Sequence, residues 1–334
     1  MRIRPLALFL GSIFVVSLSS SLLAQAPGQP QRMIAITIDD LPAGGANSMP
    51  AAEIVEMTTK LLATLREQKV PAVGFVNEQK LYKTGEVDER IKSLSLWLDN
   101  GFELGNHTFA HTSLNRVPLQ MWEEEVMRGE TVTRQLMAQH KMKLRYLRHP
   151  YLDAGADLQT RREAEAFLTA RGYRIAPVTM DAWDWMYGGV YDYAHRSGDA
   201  ALQKQLLDSY LEYNTAVFDY NEKFSKDLFG YEPKQILLLH GNWLEADHIG
   251  DLISLLRKRG YQFISLEDAL SDSAYSSPDE YVGEGTGWLD HWAITRGHPA
   301  QNTPVFPQWV IDKSHEIHRQ NPAVTSPSPA GMPY

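Results

Sequence analysis

Short apolar segments alternate with amphipathic helices along most of this chain, and this alternation restricts its fold more than any other feature. A helix between successive strands requires a parallel sheet with right-handed crossovers. The sequence therefore predicts an α/β fold, either a closed barrel or an open doubly wound sheet. The seven predicted strands cover Met33 to Ile38, Ala72 to Val76, Phe102 to Gly105, Leu144 to Leu147, Tyr173 to Thr179, Gln235 to Leu239 and Tyr261 to Ser265.

The helices predicted between these strands have apolar residues at helical spacing. Several end at a glycine, which is typical of a helix C-terminus. They cover Ala51 to Lys69, Asp88 to Asn100, Pro118 to His140, Asp157 to Arg171, Asp247 to Arg259 and, briefly, Leu266 to Leu270.

Residues 1–26 have the pattern of a signal peptide. Arg2 and Arg4 precede an apolar stretch of about 14 residues, short for a membrane span of about 20. Ala24-Gln25-Ala26 then matches the small-x-small cleavage pattern. We expect cleavage after Ala26, export to the periplasm or the medium, and no stable membrane span afterwards. An uncleaved anchor is the alternative.

The remaining chain divides into a βα domain and an extension. Residues 27–275 carry the repeat, interrupted by a predicted helical insertion at about 186–234. The insertion either covers the outside of the sheet or forms a wall or lid of a substrate groove. Its Tyr187, Tyr191 and Tyr193 suit both packing and sugar stacking. Residues 276–334 form a C-terminal extension, whose last ~14 residues, rich in Pro and Ser, predict disorder.

Composition excludes several classes of protein. The net charge of −9, from 32 basic and 41 acidic residues, argues against a nucleic-acid partner. The chain has no cysteine, which excludes disulfides, thiolate metal sites, iron–sulfur clusters and a cysteine nucleophile. A metal ion would have to be held by His, Asp and Glu side chains, and 11 histidines are present. The sequence does not indicate an oligomeric state.

Polar and titratable residues follow the predicted strands. The carboxyl ends of the strands carry the active site in βα barrels and the ligand crevice in open α/β sheets. Each residue alone could be a helix cap, a surface ion pair or a loop histidine, so the shared position carries the inference. The candidates are Asp39, Asp40, His107, His111, Arg148, Asp181, Asp184 and His240.

Two pairs among these candidates indicate distinct roles. Successive side chains of a strand point to opposite faces, so Asp39 and Asp40 are expected to do different work. His107 and His111, four residues apart, would lie on one face of a helical turn, from which two imidazoles reach one metal ion.

Five segments in this order resemble the motifs of the NodB-homology polysaccharide deacetylases, the fourth carbohydrate-esterase family. The resemblance spans about residues 32 to 270. It implies a distorted (β/α) barrel of seven or eight strands. The segments are Thr37-Ile38-Asp39-Asp40, His107-Thr108-x-x-His111, Arg148-x-Pro150-Tyr151, Asp181-x-x-x-Trp185 and Leu238-x-His240.

The resemblance implies a role for each matching residue. Asp40, His107 and His111 hold a divalent metal, normally Zn²⁺, with Co²⁺ as an alternative. The expected catalytic residues are Asp39 as general base, Arg148 as the partner that keeps Asp39 ionised, Asp181 as a group that orients or tunes its neighbours, the Tyr151 N–H as an oxyanion donor and His240 as general acid. The expected substrate-binding residues are Trp185, Leu238, Tyr151 and Pro150.

The implied reaction is removal of N-acetyl groups from chitin-like or peptidoglycan glycans. The metal lowers the pKa of its water and polarises the amide carbonyl. The chain has Ile38, Leu41 and Leu152 where the family usually has Phe, Gly and Gly, which leaves the substrate open. The alternatives are an O-acetyl esterase, a deacylase of a non-sugar amide, and a non-catalytic carbohydrate-binding module.

Overall fold

A computed structural model describes residues 32–298 and 303–320. The predicted signal peptide and the predicted disordered end fall outside these ranges, and both stay predictions. No helix in the described ranges is long and apolar enough to span a membrane.

The described residues form eight parallel strands surrounded by helices. The strands are β1 (Arg32–Leu41), β2 (Ala72–Val76), β3 (Glu103–Asn106), β4 (Tyr146–Leu147), β5 (Arg174–Ile175), β6 (Met180–Asp181), β7 (Gln235–His240) and β8 (Tyr261–Phe263). The helices are α1 (Ala51–Glu67), α2 (Val87–Asp99), α3 (Leu119–Arg128), α4 (Thr131–Gln139), α5 (Leu158–Ala170), α6 (Asp184–Ser197), α7 (Ala200–Phe229), α8 (Trp243–Lys258), α9 (Leu266–Ala269), α10 (Trp288–Thr295) and α11 (Gln308–Gln320).

The sheet is a distorted (β/α) barrel, which confirms the predicted fold class. Its strands lie in the order β5-β4-β3-β2-β1-β7-β6, and β8 pairs with β1. Strand β1 is central. Its apolar residues Ile34, Ala35, Ile36 and Ile38 are all buried, as expected for a strand that is covered on both faces. In the described part of the chain β5 and β6 do not pair, so the barrel is open between them.

One predicted strand and one predicted helix do not run unbroken over their predicted ranges. The strand predicted over Tyr173 to Thr179 is reduced to β5, and a separate strand, β6, begins just beyond it at Met180. Strand β5 pairs with β4, whereas β6 pairs with β7 on the other side of the opening. The C-terminal extension reaches this opening, where the Trp288 N–H donates a hydrogen bond of 2.7 Å to the Val178 carbonyl.

The helix predicted over Pro118 to His140 is also wrong, since it breaks between α3 and α4 at Gly129. A Cβ atom on Gly129 would lie 2.6 Å from the carbonyl carbon of Thr108. The N–H of Phe109 donates to the Glu125 carbonyl on α3. The break therefore lets the backbone that carries His107 and His111 pack directly against the helix.

The segment predicted as an insertion, at about 186–234, contains most of α6 and all of α7. Tyr187 and Tyr191 are fully buried, so these rings pack inside the protein rather than facing a groove. On α7, Tyr210 donates to Glu245 and Asn214 donates to the carbonyl of Ala182. Helix α7 is thus hydrogen-bonded to the loop that follows β6.

We expect Gly129→Ala to lower the free energy of unfolding by about 1–3 kcal/mol, because the added methyl group overlaps the Thr108 backbone. Gly250→Ala in α8 is the matched control, since its Cβ would make only an ordinary contact of 3.5 Å with Thr64. That control should gain up to about 1 kcal/mol from helix propensity. Urea denaturation measures both. Equal stability of the two variants would contradict the packing argument.

Candidate active site

Asp39 and Asp40, near the carboxyl end of β1, face the same site, although strand alternation alone would separate them. The register of β1 against β2 shifts between Ile38 and Leu41, and Asp40 has a left-handed backbone with φ of 70°. This irregularity turns the Asp40 side chain toward the side that Asp39 faces. His107 Nε2 lies 3.7 Å from Asp39 Oδ2, and His111 Nε2 lies 3.7 Å from Asp40 Oδ1.

His107 and His111 meet in a loop, so the helical turn expected from their spacing is wrong. The chain leaves β3 after Asn106 and passes through left-handed residues at Thr108 (φ 62°) and His111 (φ 57°). The Asn106 side chain accepts the Thr108 N–H at 2.8 Å, which fixes the first of these turns. The two imidazole rings end with their centroids 4.8 Å apart.

Asp40, His107 and His111 form a donor set that fits a divalent metal ion. One ligand atom from each residue lies within 4.8 Å of the other two. The His107 Nδ1–H donates to the Arg148 carbonyl at 2.9 Å, which leaves Nε2 free to bind a metal. Asp40 Oδ1 is buried and accepts no hydrogen bond of good geometry. The chemistry of two imidazoles and one carboxylate suits zinc.

Charges around these three residues favour the forms that bind a metal. Burial lowers the pKa of His107 well below its usual value and that of His111 to about 4, so both rings are neutral at pH 7. Burial raises the pKa of Asp40, but Lys80 and the neighbouring imidazoles outweigh it and hold that pKa well below its usual range.

Lys80 is a residue that the sequence analysis missed. It lies in a short 3-10 helix after β2, and its Nζ is 3.0 Å from Asp40 Oδ1 and 3.1 Å from the Asp40 carbonyl. The ammonium group of Lys80 is therefore close to Asp40 Oδ1, the carboxylate oxygen that lies nearest the imidazole of His111. Nothing in the local sequence pattern marks it, because a lysine in a loop is normally exposed.

Asp39 is paired with Arg148 inside the barrel. Arg148 is fully buried, and its guanidinium lies 3.2 Å from Asp39 Oδ2 and 2.9 Å from Thr37 Oγ1. Burial raises the pKa of Asp39 to about 6, against the opposing effect of Arg148. The expected pairing is present, but the net shift is upward. The carboxylate is still mostly ionised at pH 7 and close to the range suited to a general base.

His240 is oriented by Asp184 rather than by Asp181. Its Nδ1–H donates to Asp184 Oδ1 at 2.9 Å, and its backbone N–H donates to Asp184 Oδ2 at 2.8 Å. Burial alone would lower the pKa of His240, but the carboxylates, Asp184 first, raise it to about 9. Asp181 instead accepts the Trp183 N–H at 2.8 Å, and burial raises its pKa to about 6. The sequence analysis noted Asp184 without giving it this role.

Of the predicted substrate-binding residues, Tyr151 contacts a predicted metal ligand directly. Tyr151 is half exposed, and its ring centroid is 4.4 Å from that of His111. Pro150 is buried at the start of the same 3-10 turn, and Leu238 is buried on β7. Trp185 is partly exposed in the first turn of α6 and stacks on Trp183.

We expect Lys80→Met to tighten zinc binding about tenfold or more, because a unit charge a few ångströms from the ion would no longer oppose it. Lys83→Met is the matched control, since Lys83 pairs with Glu86 away from the three ligands. Competition with a chromophoric chelator measures both affinities. Weaker binding by Lys80→Met would contradict the placement of the ion beside Asp40.

Comparison with known proteins identifies one family. Residues 26–168 match the family model described as polysaccharide deacetylase, which confirms the resemblance noted in the motifs. The matched segment includes Asp39, Asp40, His107, His111 and Arg148. No curated protein matches the chain.

Solved structures of that family are also similar to the chain. A chitin deacetylase from the fungal pathogen Colletotrichum lindemuthianum is 20% identical over 72% of this chain and 88% of its own, with a TM-score of 0.48. A family 4 carbohydrate esterase from Streptomyces lividans in complex with acetate is 19% identical over 71% and 95%, with a TM-score of 0.42. A wild-type pseudoenzyme of that family from Bacillus anthracis is 16% identical over 72% and 66%, with a TM-score of 0.48.

Proposed function

Since the chain carries a polysaccharide deacetylase domain that matches the family over residues 26–168, we propose that it is a metal-dependent hydrolase of acetylated glycans. The proposed reaction removes N-acetyl groups from chitin-like or peptidoglycan saccharides. One observation carries the proposal: three side chains that could together bind a metal, a buried carboxylate and an oriented imidazole converge at the carboxyl ends of β1, β3 and β7. A carbohydrate-binding module has no need of such a set.

Asp40, His107 and His111 would hold the metal, which we propose to be zinc. When bound, the metal polarises the acetyl carbonyl and acidifies water. Asp39 would accept a proton from the attacking water, and the distance of 3.7 Å between its carboxylate and the Nε2 atom of His107 supports this role. Arg148 holds that carboxylate in place and balances its charge in the dry interior.

The oxygen of the tetrahedral intermediate needs a donor, and the backbone N–H of Tyr151 is suited to the task. Tyr151 has a left-handed φ of 59°, and no acceptor for its N–H is found within residues 32–298 and 303–320. His240 is protonated at pH 7 and lies beside Asp39 in the strand register, so it can protonate the leaving amine.

The test is acetate release from a panel of purified substrates, with products identified by mass spectrometry. N-acetylglucosamine oligomers and peptidoglycan fragments should be hydrolysed, and a chelator should abolish turnover until zinc is restored. Asp39→Asn should lower kcat by about 10²–10⁴-fold, because the water loses its base, while zinc binding persists. Full activity of Asp39→Asn would refute the role of Asp39.

The same panel separates the other candidate reactions. Release of acetate only from acetylated xylan or aryl acetates would replace the N-deacetylase by an O-acetyl esterase. Leu41 and Leu152, both present where the family usually has glycine, are the observation that makes this comparison necessary. No acetate from any substrate, with zinc bound, would refute the proposed activity.

The pH profile tests the role of Asp184. His240 must be protonated to act as an acid, so kcat/KM should fall as the pH rises through about 9. Asp184→Asn removes the carboxylate that raises the pKa of His240. The alkaline limb should therefore move about one pH unit or more toward neutrality, the equivalent of one charged hydrogen bond.

Asp251→Asn is the matched control for that experiment. Asp251 pairs with His248 at 2.9 Å on the exposed side of α8, whereas His240 is the last residue of β7. The control should keep the wild-type profile. An alkaline limb that stays in place in Asp184→Asn would show that His240 is not the titrating acid.

A further inference from the structure

Tyr151 and Leu152 form a turn with an unfavourable backbone. Both have φ of 59°, and neither is a glycine. The left-handed region is sparsely populated by residues with a Cβ atom, and such residues keep this geometry only where the surroundings enforce it. The N–H proposed to bind the oxyanion belongs to the first of the two. The contacts that hold Tyr151 and Leu152 in this conformation therefore also set the direction of the Tyr151 N–H.

The C-terminal loop, which we define as residues 283–287, packs directly on this turn. A Cβ atom on Gly285 would overlap the carbonyl oxygen of Tyr151 and lie 2.8 Å from the carbonyl carbon of Leu152. The Gly285 N–H donates to Asp153 Oδ1 at 2.8 Å. The two backbones touch without any side chain between them, so a small shift of one requires a shift of the other.

Polar side chains fix both partners of this contact. Asn115 Nδ2 donates to the Gly283 carbonyl and to Asp153 Oδ1, while Asn115 Oδ1 accepts the Gly155 N–H. Ser113 donates to the other oxygen of Asp153. The loop and the turn are therefore held in one hydrogen-bond network that is anchored next to the loop of His107 and His111.

The chain on either side of the loop is anchored to the barrel. Arg161 on α5 pairs with Asp279 and donates to the Tyr281 carbonyl at 2.8 Å. The Trp288 N–H donates a hydrogen bond to the Val178 carbonyl in the barrel opening. The buried ring of Trp288 belongs to the same apolar cluster as Leu152 and Leu238. The extension is thus a fixed part of the wall beside the site.

We propose that the C-terminal loop positions the Tyr151 N–H, and that Gly285 is a positioning residue for the deacetylation proposed above, on which this inference rests. The loop packs against the Tyr151 carbonyl and the Leu152 backbone. This contact holds the left-handed turn that directs the Tyr151 N–H toward the site. Gly285 is required because no other residue allows this approach.

Gly285→Ala and Gly287→Ala form a matched pair that tests the proposal. Both glycines lie in the same loop without positive φ, but a Cβ on Gly287 would meet only the Val178 carbonyl at an ordinary 3.6 Å. We expect Gly285→Ala to lower kcat about 10²-fold with little change in KM or zinc affinity, since one oxyanion donor is misdirected. Gly287→Ala should retain the wild-type kcat.

Two results would overturn the proposal. One is a wild-type kcat in folded Gly285→Ala. The other is an equal loss of kcat in both variants, together with lost zinc binding and a lower unfolding temperature, which would indicate a merely structural role. If Gly285→Ala does not fold, Asn115→Ala replaces it, because that variant removes the side chain that ties Gly283 to Asp153. A wild-type kcat in Asn115→Ala would then refute the proposal.

A measurement without substrate separates this inference from the proposed function. In protein labelled with [¹⁵N]tyrosine, the Tyr151 amide signal is assigned by its disappearance in Tyr151→Phe. Gly285→Ala should shift this signal, whereas Gly287→Ala should leave it in place. An unshifted signal refutes the positioning role even if the wild-type protein is an active deacetylase. A shifted signal in a protein that releases no acetate refutes the deacetylase activity alone.

Discussion

A buried guanidinium joins the strands that form the candidate site. The Arg148 side chain bonds to Asp39 and Thr37 on β1 and to the Ala176 carbonyl beyond β5, and the Arg148 carbonyl accepts the Nδ1–H of His107. One residue thus holds the proposed base and selects the tautomer of a proposed metal ligand. An unpaired charge in this position would be strongly destabilising. The position of Asp39 and the integrity of the barrel mouth therefore depend on the same contacts.

The opposing charges at the site divide it into two halves. On one side, Lys80 and the two neutral imidazoles surround Asp40, whose pKa is lowered. On the other, Asp39 has a raised pKa and His240 is kept protonated by Asp184. Two groups with pKa values of about 6 and 9 can act as base and acid at the same pH. This separation arises from burial and from the partner of each group, not from the residue types alone.

Much of the fold and the membership of the site could be predicted from the sequence, because apolar strands and the polar residues that follow them recur in order. Ala72–Val76 was predicted to the residue, and the candidates at the carboxyl ends of β1, β3, β4 and β7 do converge. Local geometry could not be predicted in the same way. The irregularity that turns Asp40, and the loop that joins His107 to His111, both depend on left-handed residues without glycine. Such conformations are imposed by tertiary contacts and leave no sequence signal.

Long-range partners escaped prediction for a related reason. Lys80, Asp184 and Gly285 reach the site from a 3-10 helix, from the first turn of α6 and from the C-terminal extension. Their roles arise from the residues that they contact, which lie 40 to more than 130 residues away in the chain. The extension is the clearest case, because its apolar residues indicate only that it packs, whereas the structure shows that it lies in the opening of the barrel.

The central claim is that Asp40, His107 and His111 together hold one divalent ion beside Asp39. Anomalous diffraction at the zinc edge from crystals of the zinc-loaded protein tests it most directly. We expect one strong peak at the mouth of the barrel, about 2.0–2.2 Å from a nitrogen of each histidine and from an Asp40 oxygen. A peak bound by other residues, or no peak in crystals that contain stoichiometric zinc, would contradict the account.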